Sequence, residues 1–279
     1  MAFVTTREGN SLYYELHRPE GADSRMTVII SCAFCTTHEN WRSQVDPIVA
    51  AGYPVVLWDQ RAHGDSPTPE GDAKWSLDNV MTDFEAIANE TTPDGPFVAM
   101  GHSFGGLASL HFAHQNPDRV AALVLVGSGP GFKKPEAAEG WAQQVERTAN
   151  FLETRGFEDF VNGKAGKTCI GTQPELPAAQ NAAAAIIKQS VPGIARFGRE
   201  ISATIPSAID QLSELDVPAL VMVGEDDKPY RRAGEVMTAK LPQGRHVVIP
   251  GAGHILNIEQ PERFESELLS FLSELPEPV

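Results

Sequence analysis

Phe97-Val98-Ala99-Met100-Gly101-His102-Ser103-Phe104-Gly105-Gly106 is the stretch on which the fold turns. Its first four residues are a short apolar run, as expected of a strand buried on both faces. The run stops at Gly101, and Leu107 to His114 then reads as helix. Ser103 thus stands in a sharp strand-to-helix turn, with glycine two residues before and two after. A serine hydroxyl is a poor nucleophile unless a base removes its proton and the oxygen stands clear of the backbone. The turn presents the oxygen, the glycines relieve crowding, and the helix start offers N–H groups to a developing oxyanion. A glycine-rich turn with an N-cap serine would use the same residues for structure alone. The strand before and the helix after favour the nucleophile.

Outward from this turn the chain alternates. Met26 to Ser31, Tyr53 to Trp58 (with Pro54 at its start) and Val120 to Val126 read as buried strands. Trp41 to Ala51, stopped by Gly52, and Leu77 to Ala88, preceded by Ser76, read as helices. An early hairpin turns at Gly9-Asn10 into Leu12 to Leu16. This rhythm predicts a parallel sheet with right-handed crossovers. It breaks from Phe132 to Ile205, where the pattern is helical or irregular. It resumes at Val217 to Val223 and His246 to Ile249, and closes with an amphipathic helix over Pro261 to Leu275. The expectation is an α/β fold with a mostly parallel central sheet flanked by helices. Its core is residues 1–131 and 206–279, and 132–205 form an inserted helical cap. Trp141, Phe151, Phe157, Phe160 and Phe197 give that insertion apolar anchors, which a disordered loop would lack.

Composition narrows the partners. With 37 acidic against 22 basic residues the net charge is −15, which repels phosphate backbones and disfavours nucleic acid. The N-terminus has no basic segment ahead of an apolar run, and no stretch of about 18 apolar residues occurs. No membrane association and a cytoplasmic location are the expectations. The cysteines Cys32, Cys35 and Cys169 are an odd count, against a disulfide framework.

Two later segments complete a catalytic pattern. Gly251-Ala252-Gly253-His254 places an imidazole in a glycine-rich loop after the last strand. Imidazole can take and return a proton near neutral pH, as acyl transfer requires. Gly224-Glu225-Asp226-Asp227 ends the preceding strand with three carboxylates, any of which could orient it.

With these motifs the chain resembles the α/β-hydrolase superfamily over essentially its whole length, in the branch with a helical cap. The resemblance implies Ser103 as nucleophile, His254 as base and Asp227 as orienting acid, three residues after the glycine, with Asp226 the alternative. A serine at 103 separates the chain from epoxide hydrolases and haloalkane dehalogenases, which use aspartate there. Asp59-Gln60-Arg61-Ala62-His63-Gly64-Asp65-Ser66 is similar to the family's Asp-x-Arg-Gly-x-Gly-x-Ser, with Ala62 in place of a glycine; Asp59 and Arg61 are structural in that reading. The family's His-Gly-x-Pro loop falls on Cys32-Ala33-Phe34-Cys35, without its histidine, glycine or proline. Because the loop acts through a main-chain N–H, the oxyanion hole is assigned to Phe34 and Phe104. Cys32 and Cys35 form a CxxC, but a redox motif should open a helix in a smaller fold, and zinc needs two more ligands. Reduced thiols lining the loop are the better reading.

The activity so implied is hydrolysis of a small-molecule carboxylic ester through an acyl-enzyme, with no metal and no organic cofactor. Trp141, Phe151, Phe160 and Phe197 are candidate pocket residues, or equally the core of the cap. The same triad serves C–C hydrolysis of a vinylogous diketone acid, although His102 and Ile255 replace the asparagine and tryptophan common there. It also serves a cofactor-free perhydrolase and, in another class, a ligand receptor of low turnover. None of these motifs encodes a monomer or a homo-oligomer.

Overall fold

The computed structural model describes residues 2–21 and 25–276. The continuous apolar runs become one eight-stranded sheet. In chain order its strands are β1 (Ala2–Thr5), β2 (Ser11–His17), β3 (Val28–Ser31), β4 (Val55–Trp58), β5 (Phe97–His102), β6 (Val120–Val126), β7 (Ala219–Gly224) and β8 (Gly244–Ile249). Their spatial order is β1-β2-β4-β3-β5-β6-β7-β8. β1 and β2 pair antiparallel, β2 joins β4 antiparallel, and every pair from β4 to β8 is parallel. The hairpin turns where expected, with Gly9 at φ 83°.

Helices cover both faces. α2 (Leu77–Thr91), α3 (Phe104–Gln115) and α8 (Lys228–Lys240) lie on one face. α1 (Arg42–Ala50), the short α9 (Leu256–Glu259) and α10 (Pro261–Ser273) lie on the other. Ile29, Val56, Leu123 and Val221 point into the first layer, and Val28, Ile30, Val124 and Met222 into the second. That division is the period-two alternation of a strand buried on both sides. α8 is the element that sequence patterning missed: Lys-Pro-Tyr-Arg-Arg-Ala-Gly-Glu is too polar to show a stripe, and only Gly234 and Met237 are buried.

Between β6 and β7 run α4 (Pro135–Asn162, broken at Gly156, φ 76°), α5 (Lys167–Ile170), α6 (Pro177–Ile186) and α7 (Val191–Phe197), which passes into a π-helical turn, Gly198–Ser202. This segment has its own apolar cluster, in which Leu152, Phe157, Phe160, Ala182 and Ile186 meet Cys35, Ile255 and Ile258 of the core loops. Its ends are pinned together. The Ala208 N–H donates to the Pro130 carbonyl at 2.8 Å, and the Ser207 hydroxyl donates to the same oxygen at 2.9 Å. A Cβ on Gly131 would lie 2.9 Å from Ser207 Cα. Among the described residues no helix is long and apolar enough to cross a membrane.

Candidate active site

β5, β7 and β8 run parallel, so their C-terminal ends lie along one edge of the sheet, where ligands of open α/β folds gather. Ser103 stands between β5 and α3 with φ 52° and ψ −112°, a conformation that costs a non-glycine residue about 1–3 kcal/mol. It is held there by its own peptide. The Ser103 N–H donates to Val126 at 2.9 Å, and the Ser128 hydroxyl donates to the Ser103 carbonyl at 2.8 Å. A Cβ on Gly101 would fall 2.3 Å from the Gly105 carbonyl carbon, and one on Gly105 2.2 Å from the Ser31 oxygen. Only glycine lets α3 start so close to β3 and β5.

Asp227 stands at the residue before α8 and is buried, its carboxylate turned away from the helix N–H groups, whereas Asp226 is exposed. His254 Nδ1 lies 2.6 Å from Asp227 Oδ2. A carboxylate only accepts, so Nδ1 carries the hydrogen and Nε2 is left as the basic nitrogen. The His254 ring lies against two others: Tyr230 at 4.7 Å and 34°, and His102 at 4.7 Å and 45°. Burial, with His254 beside it, pushes the His102 imidazole well below its ordinary value. It is therefore neutral, and its Nε2–H donates to the His254 carbonyl at 2.9 Å. His102, read from sequence as packing, also fixes the loop that carries His254.

The hydrogen-bond partner of Ser103 Oγ among the described residues is the Tyr230 hydroxyl, at 3.3 Å, rather than His254. Sequence reading passed over Tyr230. The available signal was an aspartate followed by proline within one turn, Asp227-Lys228-Pro229, which marks a helix start and puts residue 230 on its first turn.

The loop after β3 is shaped from below. Cys35 takes φ 68° and its N–H donates to His63 Nε2 at 3.3 Å, while His63 Nδ1–H donates to the Arg61 carbonyl at 3.1 Å. Asp59 accepts from the N–H groups of His38 and Asp65 and from His38 Nδ1, and Arg61 grips Asp83 with two bonds of 2.6 and 2.8 Å. Ala62 does adopt the left-handed φ, 65°, that its usual glycine would favour. Neither the Phe34 nor the Phe104 N–H donates to a protein group among the described residues. Cys32, Cys35 and Cys169 are free and buried, and burial pushes their thiols up, that of Cys169 to about 12. They stay un-ionised near neutral pH, poor nucleophiles and poor metal ligands.

His63 makes this region acid-sensitive. Burial outweighs the Arg61 carbonyl and the Asp59 charge and lowers the imidazole from 6.5 to about 4. Between those values the unfolded chain binds a proton that the folded chain refuses. Its contribution is fully present above pH 6.5 and is lost as pH falls toward 4, by about 2 kcal/mol at pH 5. The urea midpoint is expected to drop between pH 7.5 and 5, and to drop less in His63→Gln. An equal drop in the wild type and in His63→Gln would show that His63 does not carry the effect.

Two cavities meet at Ser103 and share Phe34, Trp141, Pro229 and Tyr230 as walls. The first, about 320 Å³, is walled by Leu107, Phe132, Ile205 and Ala233. The second, about 270 Å³, is bordered by Cys35, Phe160, Cys169, Asp227 and His254. No lysine or arginine lines either among the described residues. Trp141 borders both cavities and Phe160 the second. Phe197 does not: it is fully buried, stacked behind Phe34 at 6.1 Å and edge-on to His63 at 4.5 Å, filling the space beneath the loop. Phe151 does not either: it is 39 % exposed and packs on Phe160 with ring centroids 6.2 Å apart, bordering neither cavity.

Known proteins share this arrangement of elements. The chain is 27 % identical to 3-oxoadipate enol-lactonase 1 of Acinetobacter baylyi, covering 94 % of this chain and 92 % of that one. It is 24 % identical to the bifunctional esterase/perhydrolase of Acinetobacter calcoaceticus, over 98 % and 99 %. Among solved structures, a thermophilic esterase from Thermogutta terrifontis superposes with a TM-score of 0.83 at 26 % identity, covering 98 % of each chain. The model of the alpha/beta hydrolase fold matches residues 27–261, and the chain belongs to that family of hydrolases.

Proposed function

We propose that the protein hydrolyses neutral carboxylic esters, with Ser103 as nucleophile, His254 as base and Asp227 as its orienting acid. The observation that carries this reading is the Asp227–His254 pair beside a strained Ser103, at the junction of two cavities with no lysine or arginine in their walls among the described residues. His254 Nε2 takes the hydroxyl proton as Oγ attacks the ester carbonyl. The N–H groups of Phe34 and Phe104 hold the oxyanion, each such donor supplying on the order of 3 kcal/mol of barrier lowering. The tetrahedral intermediate collapses with the leaving oxygen taking the proton from His254. Water, deprotonated by the same imidazole, then releases the acid. The helical segment 132–205 acts as the lid, and Trp141 and Phe160 form its substrate-facing wall.

Substrate charge separates this reading from C–C hydrolysis of a diketone acid. A carboxylate carried into either cavity would find no lysine or arginine among the described residues, and in the second it would face Asp227; an unpaired buried charge is strongly disfavoured. p-Nitrophenyl butyrate is therefore expected to exceed the p-nitrophenyl half-ester of succinic acid by about 100-fold or more in kcat/KM, the equivalent of about 3 kcal/mol. Turnover should be multiple. Comparable kcat/KM for the half-ester, or activity on a diketone acid alone, would overturn the substrate class. A single turnover with a retained adduct would point to a receptor.

A further inference from the structure

Resting on that reading, the geometry points to Tyr230 as a further catalytic residue: its hydroxyl holds Ser103 Oγ in the free enzyme and donates to the leaving-group oxygen once Oγ has bonded to the ester carbon, as the tetrahedral intermediate collapses. The phenol is 3.3 Å from Oγ, and its ring lies against the imidazole that must protonate the leaving group. No other side chain makes a hydrogen bond to Oγ among the described residues.

Position gives the side of the substrate on which Tyr230 acts. The leaving oxygen must take its proton from His254, so the leaving group occupies the cavity that His254 borders, the one of about 270 Å³. The acyl chain then fills the apolar cavity of about 320 Å³, which His254 does not reach. Tyr230 borders both and stands at the point where the scissile bond lies between them. It is also suited to remain a donor. Burial raises the phenol above its ordinary value of 10.0, the nearby Asp227 charge adds to that, and the bond to Ser103 only partly offsets them.

The step balances without ionising the phenol. The Ser103 proton passes to His254 as the Oγ–carbon bond forms, and the same proton passes to the leaving oxygen as its bond to carbon breaks. Attack turns Oγ into an ether-type oxygen of the tetrahedral intermediate, a weaker acceptor than the free hydroxyl. The Tyr230 O–H then turns to the leaving oxygen, whose negative charge is growing, and keeps its own proton throughout. A hydrogen bond that strengthens as charge develops accelerates the step; one of constant strength does not.

The test is leaving-group dependence in Tyr230→Phe, which keeps the ring against His254 and removes only the hydroxyl. p-Nitrophenolate leaves as a stable anion, whereas ethoxide needs the donor. With ethyl butyrate kcat/KM is expected to fall about tenfold or more, and with p-nitrophenyl butyrate less than about threefold. Equal losses on the two esters, or no loss on ethyl butyrate, would overturn the proposal, because a merely structural tyrosine affects both alike. Should Tyr230→Phe not fold, Tyr230→Met is subjected to the same comparison and the same criterion. Wild type and Ser103→Ala are run alongside. Ester turnover absent from the wild type, or surviving in Ser103→Ala, would sink the hydrolase reading and this proposal with it. An equal loss confined to the Tyr230 variants sinks this proposal alone.

Discussion

Ser103→Ala is expected to lower kcat on p-nitrophenyl butyrate by on the order of 10⁵-fold while KM changes little. The methyl group removes the nucleophile and leaves both cavities and the Phe34 and Phe104 N–H groups in place, so substrate still binds. What remains is polarisation of the carbonyl toward water. The variant should also fold at least as well as the wild type, since the strained backbone is held by Val126 and Ser128 through main-chain atoms of residue 103. Steady-state kinetics with a thermal melt read both effects. A variant that keeps more than about a hundredth of the activity would move the nucleophile elsewhere, given that deleting an activated serine removes far more.

Asp227→Asn carries the second large effect, a fall in kcat of about 10³ to 10⁴ with the fold unchanged. The substitution keeps the shape but offers an amide that can donate toward Nδ1. That favours the tautomer whose hydrogen sits on Nε2, and such an imidazole cannot accept the Ser103 proton. Asp226→Asn is the matched control. Asp226 is exposed and contributes its main chain, the N–H donating to the Ala252 carbonyl at 2.9 Å. Its loss should change kcat less than twofold. The same pair of variants settles by kinetics what spacing alone left open between adjacent carboxylates. A large fall in Asp226→Asn with none in Asp227→Asn would reverse the assignment.

Legibility followed the strength of the local signal. Buried strands such as Val28–Ser31 and Val120–Val126 are continuous apolar runs, and no solvent-exposed segment needs that composition. Ser103 and His254 sit among glycines that mark where backbones crowd, so they too could be read. α8 could not, because it lies on the edge of the molecule with a polar surface and two buried residues. With it went Tyr230, whose proximity to Ser103 depends on the direction in which α8 leaves Asp227. Phe151 and Phe197 show the converse difficulty. Aromatic residues in a helical insertion read alike, and only the break at Gly156 and the filling of space behind Phe34 decide which face solvent, core or site.

The pinned ends of the helical insertion have a bearing on how such an enzyme diversifies. From the side of the sheet, 74 residues between Gly131 and Pro206 amount to a single tight turn, with Pro130 bonded to both Ser207 and Ala208. Closing a longer or shorter chain across the same anchor changes the entropy only logarithmically, about 0.6 kcal/mol per doubling of length. Ser103, Asp227 and His254 lie outside that span, in the turns and loops that follow β5, β7 and β8, strands whose register is set elsewhere. If the insertion acts as the proposed lid, a transplanted one must meet the Pro130–Ser207 seam and also refill the places that Phe197 takes behind Phe34 and that Phe160 and Ile186 take beside Ile255 and Ile258.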